Sequence, residues 1–249
     1  MSDKGLPMAE QVNEGLEWDY PPPPTPYDLV RDSVIFRITR TAVHLLLHPL
    51  VRSYNRLLAI NTNAVLNNWP CIVTPNHSSH MDTIAVFASF PIKYVNRMFA
   101  VAAKDYFFRN STVAFAARLV GNIIPLDRTG NELTGLKISL SKLRESRSLL
   151  VFPEGTRTVS GELGPFKKGV ILLSKEAKCP IIPAYIKGTL QSMPKTTRVP
   201  KPAQITLVYG EPLRYWEPPL SAMDSSEAIK YLEQRVKNLG RGLAEGKLK

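Results

Sequence analysis

Short apolar runs alternate with longer segments of helical periodicity along most of this chain. The runs that predict strands are Cys71–Thr74, Met98–Ala103, Asn122–Leu126, Ser148–Phe152, Ile181–Lys187 and Gln204–Tyr209. The segments that predict helices are Met81–Phe90, Leu133–Glu145, Lys167–Ala177 and Ser225–Leu239, the last capped by Ser225 or Ser226. This alternation predicts an α/β fold, a single domain with a mixed, largely parallel central sheet flanked by helices.

An amphipathic segment of helical character precedes that domain, from Leu29 to Ile60. Its apolar stripe holds Val34, Ile38, Ala42 and Leu45, and arginines are interspersed at Arg31, Arg37, Arg40, Arg52 and Arg56. We expect the stripe to enter a membrane interface while the arginines contact lipid headgroups. The longest apolar stretch, Ala42–Val51, is about half of the roughly 20 residues that a spanning helix needs, so no spanning helix is predicted. A helix pair packed on the protein's own core is an equally open alternative.

The first residues carry no sign of a targeting segment. Met1–Asp19 is acidic and lacks an apolar core, which predicts no signal peptide, and the proline-rich run over 21–26 predicts an extended linker. We therefore divide the chain into a disordered acidic and proline-rich tail over 1–28, a membrane-interface helical segment over 29–64 and an α/β domain over 65–249.

Composition narrows the choice of partners. The 249 residues are 44% hydrophobic and carry a formal net charge of +11, which indicates one ample core and a surface that attracts anions. The sequence holds no zinc-finger, helix-turn-helix or RNA-binding signature, so the charge favours a membrane over nucleic acid. The two cysteines, Cys71 and Cys179, border apolar runs, which predicts buried reduced thiols and a cytosolic compartment.

The segment Asn76–Asp82 follows the first predicted strand and supplies a candidate base. If Ser78 or Ser79 caps the next helix, the carboxylate of Asp82 lies in its first turn and can meet the ring of His77. That contact fixes the tautomer of the ring and leaves its other nitrogen to take a proton from a substrate hydroxyl. No Gly-x-Ser-x-Gly elbow occurs in the chain, so we expect the nucleophile to be that hydroxyl.

Two other interpretations of these residues stay open. His77 and Asp82 can brace a turn without catalysis, because their spacing alone is weak evidence. His77 and His80 have the spacing of a metal pair, but structural zinc needs four ligands and catalytic zinc three, and the chain offers few other candidates. We therefore predict no metal site.

The segment after the strand Ser148–Phe152 supplies a candidate anion site. The residues at the carboxyl end of this strand, where open α/β sheets bind ligands, are Glu154, Gly155, Thr156 and Arg157. Glycine lets the backbone approach a ligand, and the planar guanidinium of Arg157 suits phosphate. We expect Glu154 to hold local structure or glycerol and not to act as a second base.

The two segments carry a family resemblance. Asn76–Asp82 and Phe152–Arg157 resemble the first and third blocks of the glycerolipid acyltransferases typified by 1-acyl-sn-glycerol-3-phosphate acyltransferase. The second and fourth blocks follow in the expected order, over Gly121–Arg128 and Ile181–Thr189. The resemblance implies that Arg128, at the end of the second block, binds the acceptor phosphate, and that Lys104 approaches the same phosphate.

The residues themselves support the same set of cations. Lys104, Arg128 and Arg157 each follow a predicted strand, so a parallel sheet brings them to one edge. A phosphate monoester carries between one and two negative charges near neutral pH. Two or three such contacts would anchor a lysolipid and orient its free hydroxyl.

The resemblance implies an acyltransferase that needs no cofactor. The expected co-substrate is acyl-coenzyme A or acyl-acyl carrier protein, the acceptor is 1-acyl-sn-glycerol 3-phosphate, and the product is phosphatidic acid. His77 and Asp82 are the expected catalytic dyad. The residues expected to bind substrate or shape the motifs are Asn76, Ser78, Glu154, Gly155 and Thr156.

The expected location is the cytoplasmic face of a membrane, where the chain would meet an anionic lysophospholipid. Another lysophospholipid or hydroxylated amphiphile is an alternative acceptor. Thioester hydrolysis and non-catalytic lipid binding are alternative functions.

Overall fold

The computed structural model of the chain describes residues 33–103, 111–126, 132–194, 196–197 and 199–248. The strands are β1 Leu58–Ile60, β2 Ile72–Thr74, β3 Met98–Ala103, β4 Ile124–Leu126, β5 Ser148–Val151, β6 Ile181–Lys187 and β7 Thr206–Tyr209. The helices are α1 Val34–Tyr54, α2 Asn63–Leu66, α3 Met81–Ser89, α4 Ser111–Gly121, α5 Glu132–Arg144, α6 Gly169–Ala177, α7 Thr189–Ser192 and α8 Ser225–Ala244.

In the described part of the chain the strands form one seven-stranded sheet in the order β1-β7-β6-β2-β5-β3-β4. Its neighbouring strands are parallel, except that β6 and β7 are antiparallel. The strands from β2 to β6 therefore run in one direction and their carboxyl ends meet at one edge. This confirms the predicted α/β fold with a mixed, largely parallel sheet flanked by helices.

Consecutive strand residues face opposite layers of the core, as the two-residue repeat of a strand requires. The layer that includes α3 buries Val73, Leu150 and Ile182. The layer that includes α5, α6 and α8 buries Ile72, Leu149 and Ile181. Because both faces of the sheet are covered, its central strands are apolar throughout, and the loops at their ends rest on a rigid base.

The predicted bounds of most elements agree closely with the structure. β3 and β6 have the predicted bounds, and α3 ends at Ser89, one residue before the predicted end. The cap predicted for the last helix is wrong. Asp224 caps α8, because its Oδ1 accepts hydrogen bonds from the backbone N–H of Ser226 at 2.6 Å and of Glu227 at 2.9 Å.

The N-terminal helical segment is shorter than predicted. Within the described residues it is the single helix α1, and Leu58–Ile60 is a strand that pairs with β7. The helical prediction is therefore wrong at Leu58–Ile60. The acidic tail and the proline-rich linker lie outside the described residues, and the proposed domain boundaries stay predictions.

The face of α1 that packs on the protein is largely polar. Its buried side chains are Arg40, His44 and His48, with the apolar Phe36 and Val51. Arg40 donates from Nε and Nη2 to the carbonyl of Arg118, at 3.3 Å each, and His44 Nε2 donates to the carbonyl of Val120 at 2.9 Å. Both carbonyls lie in the last turn of α4, where carbonyl groups lack most of the N–H donors found inside a helix, although that of Arg118 also accepts from the backbone N–H of Asn122 at 3.1 Å. The expectation that Arg40 contacts lipid headgroups is therefore wrong, because its charge stabilises a helix terminus inside the protein.

The opposite face of α1 is apolar and exposed. Its large side chains, between 58% and 79% exposed, are Val34, Ile35, Ile38, Leu45, Leu46 and Leu50. The predicted apolar stripe lies on this outward face. By length and composition alone this 21-residue helix also qualifies as a candidate membrane span, a criterion that core helices of soluble proteins can meet as well.

The two cysteines are buried and free. Burial raises the pKa of the Cys71 thiol to about 12 and that of Cys179 to about 11. Both thiols are therefore protonated and poorly nucleophilic near neutral pH. This confirms the prediction of buried thiols.

Candidate active site

His77 lies beyond the carboxyl end of β2, the central strand of the seven, and Asp82 lies in the first turn of α3. The Nδ1 atom of His77 and the Oδ2 atom of Asp82 are 2.9 Å apart. The carboxylate is fully buried, whereas the His77 side chain is 17% exposed. Because a carboxylate accepts, Nδ1 carries the proton and Nε2 is the basic nitrogen. Nε2 makes no hydrogen bond to a described residue, which leaves it for a ligand.

The carboxylate of Asp82 also organises the turn that precedes α3. Its Oδ2 accepts from the backbone N–H of Ser78 at 2.7 Å and of Ser79 at 2.8 Å. The predicted cap at Ser78 or Ser79 is wrong, because the N-cap of α3 is His80, although Ser79 Oγ accepts from the backbone N–H of Met81 at 3.1 Å. The sequence therefore folds here so that one buried oxygen both closes the turn and fixes the imidazole.

Glu154 holds the backbone of His77 from the neighbouring strand end. Its Oε1 accepts from the backbone N–H of His77 at 2.7 Å and its Oε2 accepts from that of Gly164 at 2.9 Å. Burial raises the pKa of Glu154, while these two hydrogen bonds favour its ionised form. On the other side, the backbone N–H of Thr158 donates to the carbonyl of His77 at 2.9 Å. The loop after β5 thus positions the base.

Asn76 and Ser78 connect the same turn to β6 and α7. The side-chain amide of Asn76 donates to the carbonyl of Ile186 at 3.0 Å and accepts from its N–H at 2.7 Å, as a strand partner would. Ser78 Oγ lies 3.2 Å from Thr189 Oγ1. The glycine just before α7 cannot be replaced freely, because Gly188 has φ +97° and an added Cβ would lie 1.9 Å from the carbonyl oxygen of Gln204.

One further side chain contacts the imidazole, and two others act on the same turn through their charge or burial. The ring of Phe152 stacks on that of His77, with centroids 3.8 Å apart and planes inclined by 19°. Burial, with the charge of Arg157 as the next cause, lowers the pKa of His80 to about 4. Arg157 therefore lies near this turn, and His80 is neutral at physiological pH.

The remaining predicted cations are not placed by the structure. Lys104 and Arg128 lie outside the described residues, although β3 and β4, which precede them in the chain, end at the same sheet edge as β2 and β5. Thr156 is exposed next to Gly155. Among the described residues, no group of three or more histidine, cysteine, aspartate or glutamate side chains is placed to hold a metal ion.

Sequence reasoning missed some contacts of the site. It did not anticipate the stacking of Phe152, the amide of Thr158 or the side chain of Lys167, whose Nζ lies against Gly155. The third block contains Phe152 and ends just before Thr158, so their position in the sequence could have indicated that both residues lie near the site. Lys167 lies beyond the block and carried no such signal.

A family model described as acyltransferase matches residues 57–187, more than half of the chain. This chain belongs to the acyltransferase family. The matched part includes β1 to β6, the turn that carries His77 and Asp82, and the loop that carries Glu154. The matched range therefore includes the strand ends that form the candidate site.

Relatives in this family carry more specific names. A Brassica napus protein, 1-acyl-sn-glycerol-3-phosphate acyltransferase BAT2, chloroplastic, is 28% identical over 53% of this chain and 37% of its own length. A Mycoplasma genitalium protein, a probable 1-acyl-sn-glycerol-3-phosphate acyltransferase, is 24% identical over 75% of this chain and 64% of its own. The match thus spans less than two thirds of either relative.

A crystal structure shares the fold. The 1-acyl-sn-glycerophosphate acyltransferase PlsC from Thermotoga maritima superimposes with a TM-score of 0.63, covering 84% of this chain and 82% of that chain at 24% sequence identity. At this identity the likeness establishes the fold of the acyltransferase and not its substrate.

Proposed function

We propose that this acyltransferase moves a fatty acyl group from acyl-coenzyme A or acyl-acyl carrier protein to the free hydroxyl of 1-acyl-sn-glycerol 3-phosphate, giving phosphatidic acid. The observation that carries the proposal is the 2.9 Å hydrogen bond between His77 Nδ1 and Asp82 Oδ2, with Nε2 left for substrate. The names of the relatives favour this acceptor over other lysophospholipids.

In the proposed reaction, Nε2 of His77 takes the proton of the acceptor hydroxyl as its oxygen attacks the thioester carbonyl carbon. Asp82 stabilises the imidazolium that forms. The tetrahedral intermediate then breaks its C–S bond, and the thiolate leaves with the proton from His77. Such general-base assistance contributes typically about 10²- to 10⁴-fold to the rate, and holding the hydroxyl in place contributes more.

The tetrahedral oxyanion needs hydrogen-bond donors, but three backbone amides near the base already donate to other acceptors. The backbone N–H groups of Ser78 and Ser79 already donate to Asp82, and that of Gly155 donates to the carbonyl of Phe152 at 3.0 Å. We therefore assign no oxyanion role to these three amides. They shape the loops that hold the base.

We propose that Arg157 binds the acceptor phosphate together with Lys104 and Arg128. Arg157 is supported by its electrostatic effect on His80, next to the base. Lys104 and Arg128 are supported by their positions in the chain after β3 and β4. The exposed apolar face of α1 supports attachment to the cytoplasmic surface of a membrane, which is where the lysolipid resides.

The decisive assay supplies acyl-coenzyme A and 1-acyl-sn-glycerol 3-phosphate on lipid vesicles and follows free thiol and phosphatidic acid together. Thiol and phosphatidic acid should rise in step, and His77→Ala should abolish both while the protein stays folded. Thiol without new lipid would instead indicate thioester hydrolysis. If neither thiol nor new lipid appears after acyl carrier protein donors and other lysolipids have been tried, acyl transfer is refuted and lipid binding is left as the function.

A further inference from the structure

We propose that Lys167 is a further phosphate-binding residue of this active site, an assignment that rests on the proposed acyl transfer. The backbone N–H of Lys167 donates to the carbonyl of Pro153 at 2.8 Å. Its neighbour Phe166 is buried in the core. Residue 167 is therefore fixed beside the turn that carries Glu154, although it is 90 positions away from His77 in the chain.

The side chain of Lys167 lies over Gly155. A Cβ added to Gly155 would lie 3.0 Å from Lys167 Cε and 3.3 Å from Nζ, so the end of this exposed side chain passes close to Gly155. Gly155 follows Glu154, which holds the N–H of His77, and precedes Arg157 by two positions. Lys167 thus lies against the loop after β5, which positions the base through Glu154 and carries Arg157, a proposed phosphate ligand.

No residue that the structure describes neutralises this ammonium group by a hydrogen bond or an ion pair. Its neighbour Lys168 differs, because its Nζ donates to Ser226 Oγ at 2.7 Å and so binds α6 to α8. Helix stability does not explain Lys167 either. A positive charge just before a helix is unfavourable, and the first turn of α6 holds no acidic residue.

A cation held against a glycine has the chemistry of a phosphate site. The glycine leaves room for the lysine stem, and the ammonium group supplies three donors and a full charge. Two substrates carry such a group, since the acceptor has a phosphate monoester and coenzyme A has several phosphates. Lys167 would bind a phosphate of one of them and so affect substrate affinity more than the chemical step.

The test compares three variants of the full chain. Lys167→Met keeps a stem over Gly155 and removes the charge, Lys167→Arg keeps a charge, and Lys168→Met is the matched control. We expect Lys167→Met to raise one KM by about 10-fold with little change in kcat, the size of one charge-assisted hydrogen bond. We expect Lys167→Arg to restore most of the affinity and Lys168→Met to change neither KM.

The source of the phosphate follows from which KM changes. A higher KM for 1-acyl-sn-glycerol 3-phosphate assigns Lys167 to the acceptor. A higher KM for acyl-coenzyme A, which disappears when the donor is the phosphate-free S-acyl-N-acetylcysteamine, assigns it to the donor. Two unchanged KM values, or an equal effect of Lys168→Met, would overturn the assignment while leaving the proposed reaction intact.

Titration calorimetry separates this proposal from the proposed reaction. Wild-type protein and Lys167→Met are titrated with sn-glycerol 3-phosphate and with coenzyme A, neither of which requires turnover. If the wild type binds either ligand and Lys167→Met binds it about 10-fold more weakly, the result supports the site even if no acyl transfer is found. Equal affinities, or no binding of either ligand by the wild type, would reject it.

Discussion

Replacing Asp82 by asparagine should remove most of the catalytic activity while leaving a folded protein. Oδ2 of Asp82 accepts three hydrogen bonds, from His77 Nδ1 and from the backbone N–H groups of Ser78 and Ser79. All three partners donate, so the amide oxygen of the asparagine must take that position. The amide NH₂ then occupies the position of Oδ1, which is buried and has no partner among the described residues.

The expected loss can be worked from this geometry. At an effective dielectric constant near 20, two unit charges about 4 Å apart attract by about 4 kcal/mol, so the imidazolium formed in the transition state loses about that much, or about 10³-fold in rate. Leaving the buried amide NH₂ group unsatisfied costs about 1–3 kcal/mol of stability. Removing a buried charge offsets part of this cost. Activity should therefore fall far more than stability.

The assay measures kcat from thiol release at saturating acyl-coenzyme A and acceptor, beside urea unfolding of the same preparations. Ser79→Ala is the matched control, because its Oγ donates to the carbonyl of Met193 at 2.7 Å and accepts from Met81 N–H without touching the imidazole. If Asp82→Asn keeps a third or more of the wild-type kcat, the carboxylate is not part of the catalytic machinery. An equal loss in Ser79→Ala would show that only the shape of the turn matters.

Three further predictions concern the fold and its surface. Burial lowers the pKa of His44 from 6.5 to about 4, so between these values the unfolded chain binds a proton that the folded chain does not. The free energy of unfolding should therefore fall by about 3 kcal/mol as the pH drops through this window. Urea unfolding of His44→Gln should lack this part of the pH dependence. Gly188→Ala should lose about 2–4 kcal/mol through its backbone clash, measured by the same unfolding, and wild-type stability would contradict the geometry. Ile35→Glu, at a side chain that is 79% exposed, should lower co-sedimentation with anionic vesicles at unchanged stability, whereas undiminished binding would exclude this face of α1 from the membrane contact.

The sequence was sufficient for the central part of the site. His77 and Asp82 are five positions apart across a strand end and a helix start, so local geometry alone brings them together. Glu154 is different, because its bond to His77 depends on β2 and β5 being neighbours in the sheet. Apolar runs reveal which segments are strands but not their order, and the role of Glu154 was therefore foreseen only as local structure.

The orientation of α1 was also beyond the pattern of the sequence. Helical periodicity separates an apolar face from a polar one but does not say which face points inward. Here Arg40 and His44 point inward and donate to the carbonyls of Arg118 and Val120 in the last turn of α4. Arg52 is exposed, although its Nε donates to the carbonyl of Ala88 at 3.0 Å.

Helix α1 connects the proposed membrane surface to the turn that carries His77. Asn55, which follows α1, donates from Nδ2 to Ser192 Oγ at 3.0 Å, and Ser192 ends α7. At its other end α7 contacts the dyad turn through Thr189 Oγ1 and Ser78 Oγ, 3.2 Å apart. Because α7 is a single helical turn, the end of α1 and the turn that carries His77 are joined by two side-chain contacts. In our proposal, the helix that meets the membrane is therefore attached to the turn that holds the base.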